Sequence, residues 1–257
     1  MKESNKIYKP PKNACYSQFE LKNLGFKYIG NDVFISKKAS FYGIENISID
    51  SNVRIDDFCI LSGNIKIGSF IHIGAFCALY GGNNVSKNTG IVIEDFCTIS
   101  PKATIFASSD DFSGEALISP MVSSDFSNVT NAKVLLKEHT QICSNAVILP
   151  GVICEVGSVV GAMSLLKSNT ESFSIYAGIP AVKIKNRSKK LLVLKEQFLA
   201  SLNFSISKNS SMGGGRRHLE NLLKSYNNPS NLLDSSFHPF NLIYNLNSFA
   251  LNSRVAV

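Results

Sequence analysis

The chain contains no uninterrupted apolar run near the roughly 18 residues that cross a bilayer. Its opening, MKESNKIYKPPKNACYSQFE, has no apolar core of the kind that marks a secretory leader. These absences argue against a helical membrane span and make the cytoplasm the expected location. The cysteines, Cys15, Cys59, Cys77, Cys97, Cys143 and Cys154, form no C-x-x-C pair, so zinc spacing and redox motifs are missing and no metal is expected. A disulfide framework also fits poorly with 257 residues and no secretion signal; reduced, mostly buried thiols are expected. Acid is missing from KIKNRSKKLLVLK, residues 183–195, which holds Lys183, Lys185, Arg187, Lys189, Lys190 and Lys195. Aromatic residues are missing there too, whereas nucleic-acid faces interleave cations with stacking rings, so nucleic acid is not an expected partner. The run reads either as a solvated helix face or as contacts to a small phosphorylated ligand.

What the chain does have is 44% hydrophobic residues, a formal charge of +7 and a stride of six. Starting at Ile49, one frame gives IDSNVR, IDDFCI, LSGNIK, IGSFIH, IGAFCA and Leu79; then IEDFCT, ISPKAT and Ile105; then LKEHTQ, ICSNAV, ILPGVI, CEVGSV, VGAMSL and Leu166. Every frame position is aliphatic except Cys154. A helix repeats its apolar face every 3.6 residues and a half-buried strand every two, so neither sets this stride. The fifth slot is compact or β-branched: Val53, Cys59, Ile65, Ile71, Cys77, Cys97, Ala103, Thr140, Ala146, Val152, Ser158 and Ser164. A chain turning a corner every six residues, with one large residue in the core and a compact one beside it, produces this pattern. Three such sides close a coil, and coils stacked at about 4.8 Å pair their backbone groups with the coils above and below. The cysteines in compact slots then serve packing.

IGSFIH, IGAFCA, IEDFCT and VGAMSL resemble the signature of the hexapeptide-repeat, left-handed parallel β-helix acyltransferases, in the branch of the galactoside, maltose and xenobiotic acetyltransferases and the enzymes that acylate sugars for bacterial surface glycans. The resemblance implies an all-β solenoid with a projecting loop, coiling of left hand, an acetyl-coenzyme A co-substrate, a sugar acceptor and a homotrimer with sites between neighbours. The expected organisation is a cap over 1–30 and a β-helix over 31–187 with a loop at 107–132. A C-terminal helix over 188–202 and a tail over 203–257, without period and expected to be disordered, complete it.

Function is expected where the stride breaks. The first break, LYGGNNVSKNTG, reads as a projecting turn and puts Asn83 beside the acceptor. The second holds FASSDDFSGEALISPMVSSDFSNVTNAK and is too apolar for a floppy linker, so it reads as an ordered loop. Related enzymes carry their general-base histidine near the start of such a loop; this chain has Asp110 and Asp111 there. An exposed carboxylate is a weak base near neutrality, although burial and a neighbouring carboxylate raise its pKa. A positioned amine needs less help than a hydroxyl, which tilts the acceptor towards an amino sugar. The plain alternative is that SSDD only initiates a turn. His72, in a sixth slot beside a corner, is a second candidate base or an ordinary surface imidazole. His139 reads as a solvent-facing coil residue. Arg54, Asp56 and Asp57, on an early coil, either bind acceptor or brace a subunit contact.

The stretch YAGIPA resembles the exit from the helix in this family. The resemblance places pantetheine against Ser144 and Ala162, the exit turn at Gly178 and Pro180, and the cofactor phosphates near Lys183, Lys185 and Arg187. The expected activity is transfer of an acetyl group to the amine of a nucleotide-linked sugar in surface-polysaccharide synthesis. An O-acetyltransferase and a non-catalytic β-helix scaffold are the alternatives. At the ends, YSQFELKNLGF reads as a short helix with Phe19 and Leu24 inward and Gly25 as its stop. Leu191, Leu192, Leu194 and Phe198 are expected to pack the last helix onto the solenoid.

Overall fold

A computed structural model of the chain describes residues 14–82 and 89–209, with side chains described to residue 202. The chain divides into two units, one ending at Lys189 and the other beginning at Lys190. The first is a parallel β-helix of three sheets. The first sheet stacks Tyr28–Ile29, Ile47–Ile49, Ile65–Ile67, Ile91–Ile93, Val134–Leu136 and Ile153–Cys154. The second stacks Val33–Ile35, Val53–Ile55, Ile71–Ile73, Thr98–Ile99, Gln141–Ile142, Val159–Val160 and Ser174–Gly178. The third stacks Ser40–Tyr42, Ile60–Ser62, Ala78–Tyr80, Thr104–Phe106, Val147–Ile148 and Leu165–Leu166. Each coil visits the sheets in that order, so residues 18 apart, such as Ile55 and Ile73, stand opposite one another where no insertion intervenes.

The core confirms the stride. All fifteen frame residues, from Ile49 to Leu166, are at most 1% exposed. The compact fifth slots are buried as well. A hexad side exposes one edge to the coil below and one to the coil above, and the backbone uses both: Ile60 N–H donates to Cys77 O at 2.9 Å and Ala78 N–H to Ala103 O at 3.0 Å. Each buried aliphatic contributes about 1.5–3 kcal/mol, so the stack rather than any single coil holds the fold.

Corners fall in the fourth slot, where the chain adopts left-handed backbone at Asn52, Phe58, Phe70, Phe76, Phe96, Lys102, His139, Asn145 and Met163. Left-handed backbone costs a side-chain-bearing residue about 1–2 kcal/mol. Stacking offsets part of that: the rings of Phe58 and Phe76 lie 4.9 Å apart, and those of Phe70 and Phe96 lie 4.7 Å apart. His139 continues the second stack at 5.3 Å from Phe96. It is 8% exposed, so the expectation of a solvent-facing His139 is wrong: a fourth-slot residue on a stacked corner column packs between its neighbours. The next position in that column is Gly157, where a methyl group would stand 2.6 Å from the Phe173 ring.

Both insertions leave the corner between the third and first sheets. At the first, Gly63 has φ +81°, and a side chain there would collide with the Gly82 carbonyl. Residues 83–88 lie outside the described residues. The longer insertion is closed at its base by an antiparallel pair, Ser108–Ser109 with Thr130–Asn131. A 3-10 turn at Ser124–Phe126 lies inside it. The apolar residues of this loop do not form a core: Phe112 is 90% exposed and Met121 92%.

The ends need two corrections. Helix α1, Gln18–Asn23, starts in a capping box in which Ser17 Oγ accepts from Glu20 N–H at 3.2 Å and Glu20 Oε2 accepts from Ser17 N–H at 2.7 Å. Its inward residue is Leu21, fully buried; Phe19 is 78% exposed and not inward. Gly25, at φ +97°, stands just past its end. In the second unit, helix α2 runs Lys190–Asn209, longer than expected, with Val193, Leu194 and Phe198 exposed. The tail beyond residue 209 lies outside the described residues.

Candidate active site

The candidate residues fall in three places. On the outer face of the second sheet, strands Val53–Ile55 and Ile71–Ile73 pair in parallel with Arg54 opposite His72. The Asp56 carboxylate, at the exit of the first of these strands, joins them. Its Oδ1 accepts from Arg54 Nε at 2.6 Å and its Oδ2 meets His72 Nε2 at 2.8 Å. The His72 side chain is 45% exposed, and that of Asp56 only 22%. Next along, Asp57 accepts from Ser36 Oγ at 2.5 Å and from Lys38 Nζ at 2.9 Å. The serine bond, then the lysine, hold its carboxyl below the ordinary carboxylate range. Asp57 is thus committed to the first coil of its own chain.

Around the adjacent corner, Ser144 and Ala162 occupy equivalent places on successive coils, and Met163 N–H donates to Ser144 O at 3.0 Å. The exit strand returns beside them: Gly178 N–H donates to Ser164 Oγ at 3.1 Å, and the Ile179–Pro180 peptide is cis. Strands Ser174–Gly178 and Ala181–Asn186 form an antiparallel hairpin at the end of the second sheet. Lys183 and Lys185 are exposed on it, with Lys183 Nζ 2.7 Å from Glu171 Oε2. Arg187 is occupied differently, donating from Nη1 to His139 O at 2.9 Å and Gly157 O at 3.0 Å. It fastens the hairpin to two corner carbonyls. Cys143, next to Ser144, is half-buried; burial raises its thiol, opposed by the Arg187 charge.

Asp110 and Asp111 stand in the third place, at the neck of the long loop. Asp110 is exposed, and its carbonyl accepts from Ser109 Oγ at 3.3 Å. Asp111 accepts from Ser113 Oγ at 2.5 Å and Ser113 N–H at 3.2 Å. These serine bonds push its carboxyl below the ordinary range. The expected raising of a carboxylate by burial and its neighbour does not occur at Asp111, because local turn bonds favour the ionised form. Asn83 lies outside the described residues.

The structure therefore unites Arg54 with His72, and Ser144 with Ala162 and Gly178, along one edge of the prism. The aspartates leave from the corner at the far side of the third sheet. Sequence reasoning grouped Asp56 with Arg54 and Asp57 but did not link it to His72. The signal that finds it is the coil length: Arg54 and His72 are 18 residues apart, one full turn, which places them side by side over the acid that follows Arg54. Among the described residues, no helix is long and apolar enough to cross a membrane.

No family model matches the chain. It is 40% identical over 191 residues to the dTDP-4-amino-4,6-dideoxy-D-glucose acyltransferase of Escherichia coli, across 73% of this chain and 96% of that protein. AntD, an N-acyltransferase from Bacillus cereus solved in complex with dTDP and 3-hydroxybutyryl-CoA, matches with a TM-score of 0.71 at 48% identity, over 74% of this chain and 99% of AntD. A variant of AntD in complex with dTDP-4-amino-4,6-dideoxyglucose and coenzyme A matches with a TM-score of 0.71 at 46% identity, over 74% of this chain and 100% of that one.

Proposed function

Because the chain belongs to the hexapeptide-repeat, left-handed β-helix acyltransferases, we propose that it transfers an acyl group from an acyl-coenzyme A thioester to the 4-amino group of a dTDP-linked amino sugar. The observation that carries this reading is the match across nearly the whole length of a dTDP-amino-sugar acyltransferase. The missing loop histidine points the same way, since an amine acceptor needs less activation than a hydroxyl. Acetyl is the acyl group we assign, with 3-hydroxybutyryl, the chain on the CoA bound to AntD, as the alternative. The product would enter surface-polysaccharide synthesis in the cytoplasm.

The donor would lie along the edge that carries Ser144, Ala162, Gly178 and Pro180, with Lys183 and Lys185 at its phosphates. Lys183 must exchange Glu171 for phosphate. An exposed ion pair is worth about 0–1 kcal/mol, so that exchange is inexpensive. Arg187 would support the hairpin that presents these lysines. Arg54 and His72 lie next to the same edge, on the acceptor side. Asp57 braces the first coil.

Asp110 and Asp111 leave from another corner, so a second copy of the chain would bring its loop to this edge, as in a homotrimer. The outer face of the third sheet, with Ile60, Ala78, Val147 and Leu165 only partly exposed, supports such packing. There the aspartates would attract the acceptor's ammonium group.

The test is thiol release from acetyl-CoA and 3-hydroxybutyryl-CoA with dTDP-4-amino-4,6-dideoxyglucose, against neutral glycosides. Turnover with the amine alone is expected. Coenzyme A binding without turnover on any amino-sugar nucleotide would sink the reading and favour a scaffold. In the same assay, Lys183→Ala should raise KM for acyl-CoA about three- to tenfold with little change in kcat.

A further inference from the structure

We propose that Asp56 is a positioning residue for this reaction: gripped by Arg54, its carboxylate fixes the His72 imidazole so that Nδ1 takes the proton from the attacking amine. The inference rests on the acyl-transfer reading and adds the residue that orients its base.

The geometry is a two-point clamp. Each Asp56 oxygen has its own partner, Arg54 Nε at 2.6 Å and His72 Nε2 at 2.8 Å, so the carboxylate is held against rotation. A carboxylate only accepts hydrogen bonds, hence Nε2 carries a hydrogen, and in the neutral ring Nδ1 keeps the lone pair. The imidazole is the outer part of a side chain that remains 45% exposed, while the acid beneath it is largely covered. A surface histidine of no consequence has no need of a half-buried acid locked by an arginine on the neighbouring strand. The backbone is fixed as well, because His72 and Arg54 are paired residues of two parallel strands.

Arg54 and Asp56 face the ring from one side. Cys15, ahead of the first coil, lies within the electrostatic reach of Arg54, Asp56 and Asp57. On the other side stands Thr98, whose Oγ1 donates to His72 O at 3.5 Å. The acid bonded to the ring is Asp56, at 2.8 Å from Nε2, and that bond favours the neutral tautomer with its hydrogen on Nε2.

The chemistry follows from that tautomer. The sugar amine attacks the thioester carbonyl carbon, forming the new N–C bond, and the C–S bond breaks to release coenzyme A thiolate. The ammonium proton passes to His72 Nδ1 and then to the thiolate, so protons and charge balance without a further reactant. Asp56 faces the imidazolium formed between the two transfers and keeps the ring from turning.

The experiment uses the full chain with acyl-CoA and dTDP-4-amino-4,6-dideoxyglucose, comparing the parent with Asp56→Asn, Asp56→Glu, His72→Gln and the double substitution Asp56→Asn/His72→Gln. His72→Gln should lower kcat about 10²–10³-fold, and Asp56→Asn about 10–100-fold. Both should leave KM within about threefold, and the double variant should be no slower than His72→Gln. Asp56→Glu should recover part of the loss. Imidazole ¹⁵N shifts should report the Nε2–H tautomer in the parent and a mixture in Asp56→Asn, a change that a merely structural role would not produce. A parent that turns over while His72→Gln keeps its kcat within about twofold overturns the assignment alone. An unchanged tautomer in Asp56→Asn does the same. A parent inactive on every amino-sugar nucleotide overturns the acyl-transfer reading and this role with it.

Discussion

The coils and the long loop differ in what a large apolar residue does. In the coils, Ile99 and Leu136 are fully buried and their positions are set by the coils above and below. In the loop, Phe112, Leu117, Met121 and Phe126 are all exposed, although the loop is closed at its base by a regular strand pair. The same residue types thus act as core in one place and as surface in the other. What separates them is the backbone: a hexad side is paired on both edges, whereas the loop has a short strand pair at its neck and a bridge between Leu117 and Ser127 inside it. Apolar content alone is therefore a poor guide to where a β-helix spends its packing.

The strongest way to break this contrast is in the core. Ile99→Ala should cost about 2–5 kcal/mol, because neighbouring coils are held by their hydrogen bonds and cannot collapse into the cavity. Urea denaturation should show it as a lower midpoint with an unchanged slope. A smaller effect belongs to the N-terminal cap. Ser17→Ala removes the capping hydroxyl of α1 and should cost about 1 kcal/mol locally, seen as faster amide exchange at Leu21.

The cap should also respond to acid. The Lys37 ion pair, followed by the bonds with Ser17, lowers the Glu20 carboxyl from 4.5 to about 2. A depressed carboxyl stabilises the fold above its unfolded value and loses that contribution as pH falls. The part of the protection at Leu21 that Glu20 supplies should be complete above pH 4.5 and be lost as pH falls to about 2. The smallest effect belongs to the loop. Phe112→Ser and Met121→Ser should change unfolding free energy by less than about 0.5 kcal/mol, and a larger loss would mean that those side chains are covered in the assembled protein.

The stride was legible because every coil repeats the same demand for one large and one compact inward residue. The spacing alone assigns Ile49 through Leu166 to the core. The corners were less legible. His139 shares its slot with Phe96 and packs on it, but its other neighbour, Arg187, comes from 48 residues further along. The six-residue helix α1 is too short for its sequence to fix a phase: Leu24 packs on the core as expected, but Leu21 rather than Phe19 turns inward with it. At the candidate site, Arg54 and His72 were visible separately. Asp56 joins them only once the chain is wound, since the pairing depends on turn length rather than on any local motif.

One consequence of the register reaches beyond this molecule. Ile91 pairs with Ile65 despite the shorter excursion, and Val92 pairs with Leu135 despite the longer one. The corner where both depart thus behaves as a seam, at which segments of any length can be spliced in while the ladder on either side closes undisturbed. Inserted loops can then diversify among descendants of such a scaffold at little thermodynamic risk, since the parts that vary and the parts that endure are decoupled by the winding itself.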